Sequence, residues 1–266
     1  MAKHTIHKFP KSRIATIDIC EIGQRKHHVT GLIEVDVTQS REAIREYNRK
    51  NKNKISFNAW MIHVICHTLK NHKTATAYLK GKNRLMIFDD INVSMIVEKE
   101  LNGQKVPIPL LIESADKKSI DEIHNQIADA KNKAFTEKDI VLQKKADRLE
   151  RIYYLLPGFL RRSVWRYMLR HPKLAHKKMG NVAITSIGMM GQVKGWFIPI
   201  SVHPICFGLS SIVKKPVAIE NRVENREMLQ MSILVDHDVI DGVPMARFIS
   251  ELSWNIERGL IMDKLS

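Results

Sequence analysis

The chain contains no apolar run of about 18 residues, the length a helix needs to cross a bilayer. Its first ten residues, Met1 to Pro10, are polar and carry histidine and lysine, so nothing there reads as a secretory signal. Cysteine is scarce and odd in number: Cys20, Cys66 and Cys206 each sit in an apolar context. That pattern favours buried free thiols in a reducing compartment over a disulfide framework. The expected location is the cytoplasm, with a peripheral membrane contact left open. P-loop, glycine-rich dinucleotide fingerprint, internal repeat and Gly/Ser linker are all missing.

Negative charge is short as well. Asp and Glu number 28 against 43 Lys and Arg, a net charge of +15 over 266 residues. The excess points to an anionic partner, whether nucleic acid, a membrane surface or a phosphate-bearing small molecule, unless it is simply a solvated surface. Nucleic acid is disfavoured because no groove-reading motif accompanies the charge. Residues 151–178 hold no acidic residue. No metal is expected: His63 and His67 have a helical i, i+4 spacing, but no third ligand lies near them in sequence.

An apolar fraction of 44% is ample for a sizeable core. Val29 to Val37 reads as a strand, followed by a helix capped by Thr38 and a second capped by Ser56. Short strands are expected at Arg84–Phe88 and Asn92–Val97, and a helix from Ser119 to Lys133. Further strands are expected at Asn181–Ile187, Pro204–Ile212 and Pro216–Glu220, the last linked through the polar NRVENRE stretch to Met228–Val235 as a hairpin. A final helix carries Met245, Phe248, Ile249, Leu252 and Ile256 on one stripe and suits Gly259 as its cap. Strands and helices intermix without a strict βαβ rhythm. The fold class is therefore α+β, a mixed sheet packed by helices in one domain over 1–266. Residues 1–28 are expected to form an extended arm, and 136–178 an inserted basic helical segment.

Candidate chemistry centres on LVDHDVIDGVPMARF, where a hairpin strand ends and a helix begins. His237 there can take a proton near neutral pH. Asp241 can pin the turn through a charge-assisted bond, and Gly242 allows the backbone a positive φ.

The segment SILVDHDVIDGVPMARFISEL resembles the signature of dihydrolipoamide acyltransferases, the acyl-transferring components of 2-oxoacid dehydrogenase complexes. NVAITSIGMMG, KISFNAWMIHVICHTLKNHK, INVSMIVEKE and IPLLIESADKKSIDEI are similar to further segments of that family, in the same order. The resemblance implies a chloramphenicol acetyltransferase-like α/β sandwich and a homotrimer with active sites between subunits. It implies His237 as general base, and Thr185, at a position usually serine, as the hydroxyl that stabilises the oxyanion. Asp241 is implied to be salt-bridged to a basic residue, for which Arg25 is the candidate. Coenzyme A enters as acyl-CoA substrate, and an acyl-CoA or acyl-lipoyl donor would pass its acyl group to a thiol or hydroxyl.

The chain departs from that pattern in several ways. No lipoyl or subunit-binding domain of the family is expected with this chain, and hence no covalent lipoyl group on it. A non-catalytic trimeric scaffold or accessory subunit is therefore the competing reading. Asp238 stands where the family generally has arginine, and a carboxylate close to His237 would favour the imidazolium. The C-terminal GLIMDKLS lacks an apolar tail, so a free trimer is expected rather than a larger shell. The FLRRSVWRYMLR stretch is amphipathic, with Leu160, Val164, Trp165 and Met168 on one side and Arg162, Arg166 and Arg170 on the other. Those arginines are candidates for the phosphates of coenzyme A. Alternatively, 151–178 lies on an anionic membrane or packs on the subunit with its charges in water.

Overall fold

The computed structural model describes residues 2–6, 12–101, 104–132, 153–188 and 194–260. The tail 261–266 and the 136–152 part of the expected insertion lie outside the described residues. In chain order the elements are α1 (Ser12–Gly23), β1 (His28–Asp36), α2 (Thr38–Lys50) and α3 (Phe57–Leu69). They continue with β2 (Tyr78–Lys80), β3 (Arg84–Met86), β4 (Val93–Leu101), β5 (Gln104–Ile112) and α4 (Ile120–Asn132). Next come α5 (Gly158–Arg170), α6 (Pro172–Met179), β6 (Val182–Ser186), β7 (Ile205–Ile219), β8 (Arg222–Asp236) and α7 (Gly242–Glu257).

Six strands form one sheet in the order β1-β8-β7-β6-β4-β5, and β2 and β3 make a separate hairpin. β6 runs parallel to both β4 and β7, while the other pairs are antiparallel. The expected α+β class with a mixed sheet holds.

Alternation along the strands sends one set of side chains to a large core, the other to the opposite face. The core joins Val182 and Ile184 of β6, Ile205, Phe207 and Leu209 of β7, and Met231, Ile233 and Val235 of β8 to the helices. From the helices come Trp60 and Ile65 of α3, Ile123 of α4, and Phe248 and Leu252 of α7. The opposite face is thinner. Ala183, Cys206 and Leu234 form a small cluster there. The segment after residue 194 lies across it, with Ser232 Oγ donating to the Phe197 carbonyl at 2.7 Å. A Cβ on Gly208 would stand 2.3 Å from Ser232 Oγ and 3.1 Å from that carbonyl, so only glycine lets the segment lie this close.

Three expectations need correction. The segment expected to be an extended arm contains a helix, α1 over Ser12–Gly23. Its packing face includes the fully buried Asp18, so apolar periodicity does not reveal it. The two strand segments at 204–212 and 216–220 are one continuous β7 with an irregularity between Leu209 and Ile212. Pro216 is tolerated because β6 pairs only as far as Leu209, leaving the other edge of β7 open there. The hairpin is present, but its turn is only Glu220–Asn221, with Glu220 at φ 51°. Cys66 and Cys206 are buried free thiols as expected, whereas Cys20 is only half-buried.

Candidate active site

The end of β8 is laced to its neighbours by backbone. Asp236 N–H donates to the Pro204 carbonyl at 2.9 Å, and His237 N–H donates to the His27 carbonyl at 2.9 Å. Val239 N–H closes the turn on the Asp236 carbonyl at 3.1 Å, and Val239 and Ile240 are buried. The Asp236 carboxylate is buried, takes an ion pair from Lys26, and accepts from Asp238 N–H at 3.3 Å. The turn is therefore fixed on three sides, yet the His237 side chain is exposed and makes no hydrogen bond among the described residues.

The Asp238 carboxylate is taken by His27, whose Nδ1 lies 2.9 Å from Oδ1. That hydrogen bond, and the charge behind it, raise the pKa of His27. His28 donates from Nε2 to the His203 carbonyl at 2.9 Å, and burial lowers its pKa. His203 is half-buried, with both ring nitrogens engaged. Its Nε2 donates to the Met179 carbonyl at 2.9 Å, so Nδ1 accepts from Ser201 Oγ at 3.1 Å. Burial pushes its pKa down to about 4. Lys26–Asp236 and His27–Asp238 are absent from the sequence reading. The signal for the first was an acid at the last position of a buried strand, which requires a partner.

Asp241 opens α7 with extended backbone (φ −85°, ψ 168°), and its carbonyl accepts from Met245 N–H at 3.1 Å. Its carboxylate makes no ion pair among the described residues. Arg25 instead pairs with Glu21 one helical turn earlier, at 3.5 Å, which corrects the expected Arg25–Asp241 bridge. Gly242 does not adopt a positive φ: the helix begins directly at this residue, and a Cβ there would meet nothing within 4 Å.

Thr185 lies half-buried on β6, and the pleat puts it on the same face as Ala183, away from the main core. Register places it level with Gly208 of β7 and, through that, Ser232 of β8. His237 lies five residues beyond Ser232, so about 16 Å separates them along the strand direction, before two inter-strand steps are added. Within one chain Thr185 and His237 do not meet.

The amphipathic helix, α5, is seated differently from its expected orientation. Leu160 and Val164 are exposed, while Arg161 and Trp165 turn inward. Arg161 Nε donates to the fully buried Asp18 at 2.6 Å, Tyr153 donates to the same carboxylate at 2.8 Å, and Trp165 donates to Tyr153 Oη at 2.9 Å. Arg162 pairs with Glu21 at 3.1 Å. Of the three arginines considered for phosphate binding, this leaves Arg166 and Arg170 with no ion pair among the described residues. No group of metal-ligating side chains occurs among the described residues, and no described helix is long and apolar enough to cross a membrane.

The dihydrolipoyllysine-residue acetyltransferase component of the Mycoplasma genitalium pyruvate dehydrogenase complex is 28% identical over 223 residues, covering 82% of this chain and 48% of that protein. The chain thus spans about half the length of the curated relatives it matches. A probable dihydrolipoamide acetyltransferase from Listeria monocytogenes 4b F2365 shares the fold, with TM-score 0.67, 20% identity, and coverage of 96% and 95% of the two chains. So does Azotobacter vinelandii dihydrolipoamide acetyltransferase, with TM-score 0.66, 20% identity, and coverage of 95% and 92%. In that enzyme a serine, a histidine and an asparagine four positions after the histidine have been investigated for their role in the catalytic mechanism. The model of the 2-oxoacid dehydrogenases acyltransferase catalytic domain matches residues 18–140 and 167–262, in order and on both sides of 141–166. The chain belongs to that family.

Proposed function

We propose that this chain is an acyltransferase catalytic unit that moves an acyl group between coenzyme A and a thiol or hydroxyl acceptor, with His237 as general base. The supporting observation is an exposed imidazole with no side-chain partner among the described residues, carried on a turn fixed by backbone bonds and a buried ion pair. Such an imidazole can approach an incoming nucleophile without first leaving a partner.

A thiol is only a few per cent ionised at neutral pH, so its attack on a thioester benefits from a base in the transition state. His237 takes the thiol proton as sulfur bonds to the acyl carbon. The tetrahedral intermediate carries an oxyanion, to which the Thr185 hydroxyl donates. Collapse breaks the old C–S bond, and the imidazolium returns its proton to the departing coenzyme A thiolate. Reversal transfers the acyl group back.

The wide separation of Thr185 and His237 within one chain favours an active site between subunits, His237 from one and Thr185 from its neighbour. A homotrimer, the assembly the family resemblance implies, would carry one such site at each subunit boundary. Asp241 stands four residues after His237, the same spacing as the histidine and asparagine investigated in the Azotobacter enzyme, at the N-terminal end of α7. Arg162 is committed to Glu21, so it is a poor candidate for the phosphates of the substrate.

The test is coenzyme A release from acetyl-, succinyl- and isobutyryl-CoA with dihydrolipoamide as acceptor. Turnover of at least one, reduced about 100-fold or more in His237→Ala, is expected. A correctly folded protein that turns over none, with dihydrolipoamide, small thiols or alcohols, would overturn the reading in favour of a scaffold.

A further inference from the structure

Helix α5 is joined to the molecule by polar contacts and shows its apolar residues to solvent. Its inward side carries Arg161 and Trp165, which close on Asp18 and Tyr153. No residue of the helix is buried. Outward, Phe159 is 61% exposed, Tyr167 60% and Val164 51%, and Leu155 just before the helix is 82% exposed. Leu156, Leu160, Ser163, Val164 and Tyr167 line a shallow groove along this surface. At 100° per residue, Leu160, Val164 and Tyr167 fall on one line, and Phe159, Arg166 and Arg170 on the line beside it.

Among the described residues, α5 and α6 carry charge of one sign only. Arg166, Arg170, Lys173, Lys177 and Lys178 make no ion pair among the described residues, and no acidic residue lies between 151 and 178. The two acids that neutralise cations of this helix, Asp18 and Glu21, both sit on α1 behind it. Leu155 to Arg166, which carry most of the apolar line, fall in the stretch that the family match skips, whereas Arg170 and the α6 lysines lie within the match.

We propose that α5 and the start of α6 form a docking surface for an anionic phospholipid bilayer, the apolar line entering the headgroup boundary and the flanking cations meeting lipid phosphates. A long, open row of apolar side chains bordered by cations matches an interfacial helix. A phosphate subsite would need cations converging on a concavity, and Arg166 and Arg170 instead stand on an exposed surface. A nucleic acid backbone would leave the apolar line without a partner. This proposal is independent of the acyltransferase reading.

The experiment is flotation of the full chain with vesicles of equal parts phosphatidylglycerol and phosphatidylcholine, against phosphatidylcholine alone. Binding to the first and not the second is expected, weakening with added salt. At about fivefold per cation, Arg166→Gln with Arg170→Gln should lower the partition roughly 25-fold. Leu160→Ser with Val164→Ser should also release the protein, whereas Lys52→Gln with Lys54→Gln should not. The proposal is overturned if anionic vesicles do not bind, or if the distant lysine pair matters as much as the arginines. It is also overturned if Leu160→Ser with Val164→Ser dissociates an oligomer in sedimentation, which would assign the surface to a second copy of this chain. A raised KM for acyl-CoA in the arginine variant without loss of flotation would assign those cations to substrate instead.

Discussion

The turn after β8 and the helix α5 both present side chains to solvent, but they are held in different ways. The turn is backbone-bonded to two neighbouring strands and anchored by Asp236 beneath it, so His237 is exposed on a rigid support. Helix α5 is joined chiefly through one buried carboxylate, Asp18, reached by Arg161 and Tyr153 across more than a hundred residues of sequence. Rigid support suits a group that must be aimed at a reacting atom. A row of exposed apolar residues on a lightly latched helix suits contact over an area.

Substitutions that separate the two regions test this contrast. The largest effect is expected at His237→Ala, which should reduce acyl transfer about 10²- to 10⁴-fold while changing stability by only about 0.5 kcal/mol. A large loss of stability would mean the side chain helps build the turn. Lys26→Met leaves the Asp236 carboxylate buried and unpaired, which should cost about 3–5 kcal/mol in chemical denaturation and lower activity indirectly.

Acid should weaken the same region. His203, half-buried and with its pKa depressed to about 4, is neutral when folded, while in the unfolded chain it binds a proton below about pH 6.5. Its contribution is therefore complete above about pH 6.5 and is lost as pH falls toward 4, amounting to about 3 kcal/mol. Burial lowers the pKa of His28 as well, with the same sign. His203→Gln should flatten the fall of stability between pH 7 and pH 4. The smallest effect is expected at Asp18→Asn, which should cost about 2 kcal/mol and act locally. Hydrogen exchange should quicken in 158–170 and leave the sheet unchanged; equal quickening in β8 would erase the distinction between the regions.

Much of the fold was legible in the sequence because apolar periodicity and turn chemistry act locally. The strands at 29–37 and 181–187, the α7 stripe and the Gly259 cap, at φ 62°, all emerge in the structure. Helix α1 was hidden because its packing side is partly polar. The orientation of α5 was hidden for the related reason that Asp18 draws Arg161 and Trp165 inward and thereby reverses the apolar face. At the candidate site, the His237 turn was legible as a strand-to-helix junction. The pairs Lys26–Asp236 and His27–Asp238 were not, since they join residues over 200 positions apart and depend on β1 lying beside β8.

The central claim is that each active site combines His237 of one subunit with Thr185 of its neighbour. Co-expressing His237→Ala chains with Thr185→Val chains, each nearly inactive alone, tests it directly. Random mixing in a closed ring should give about one quarter of the sites an intact pair, and with them about one quarter of wild-type activity. Mixed oligomers no more active than either parent would contradict the account.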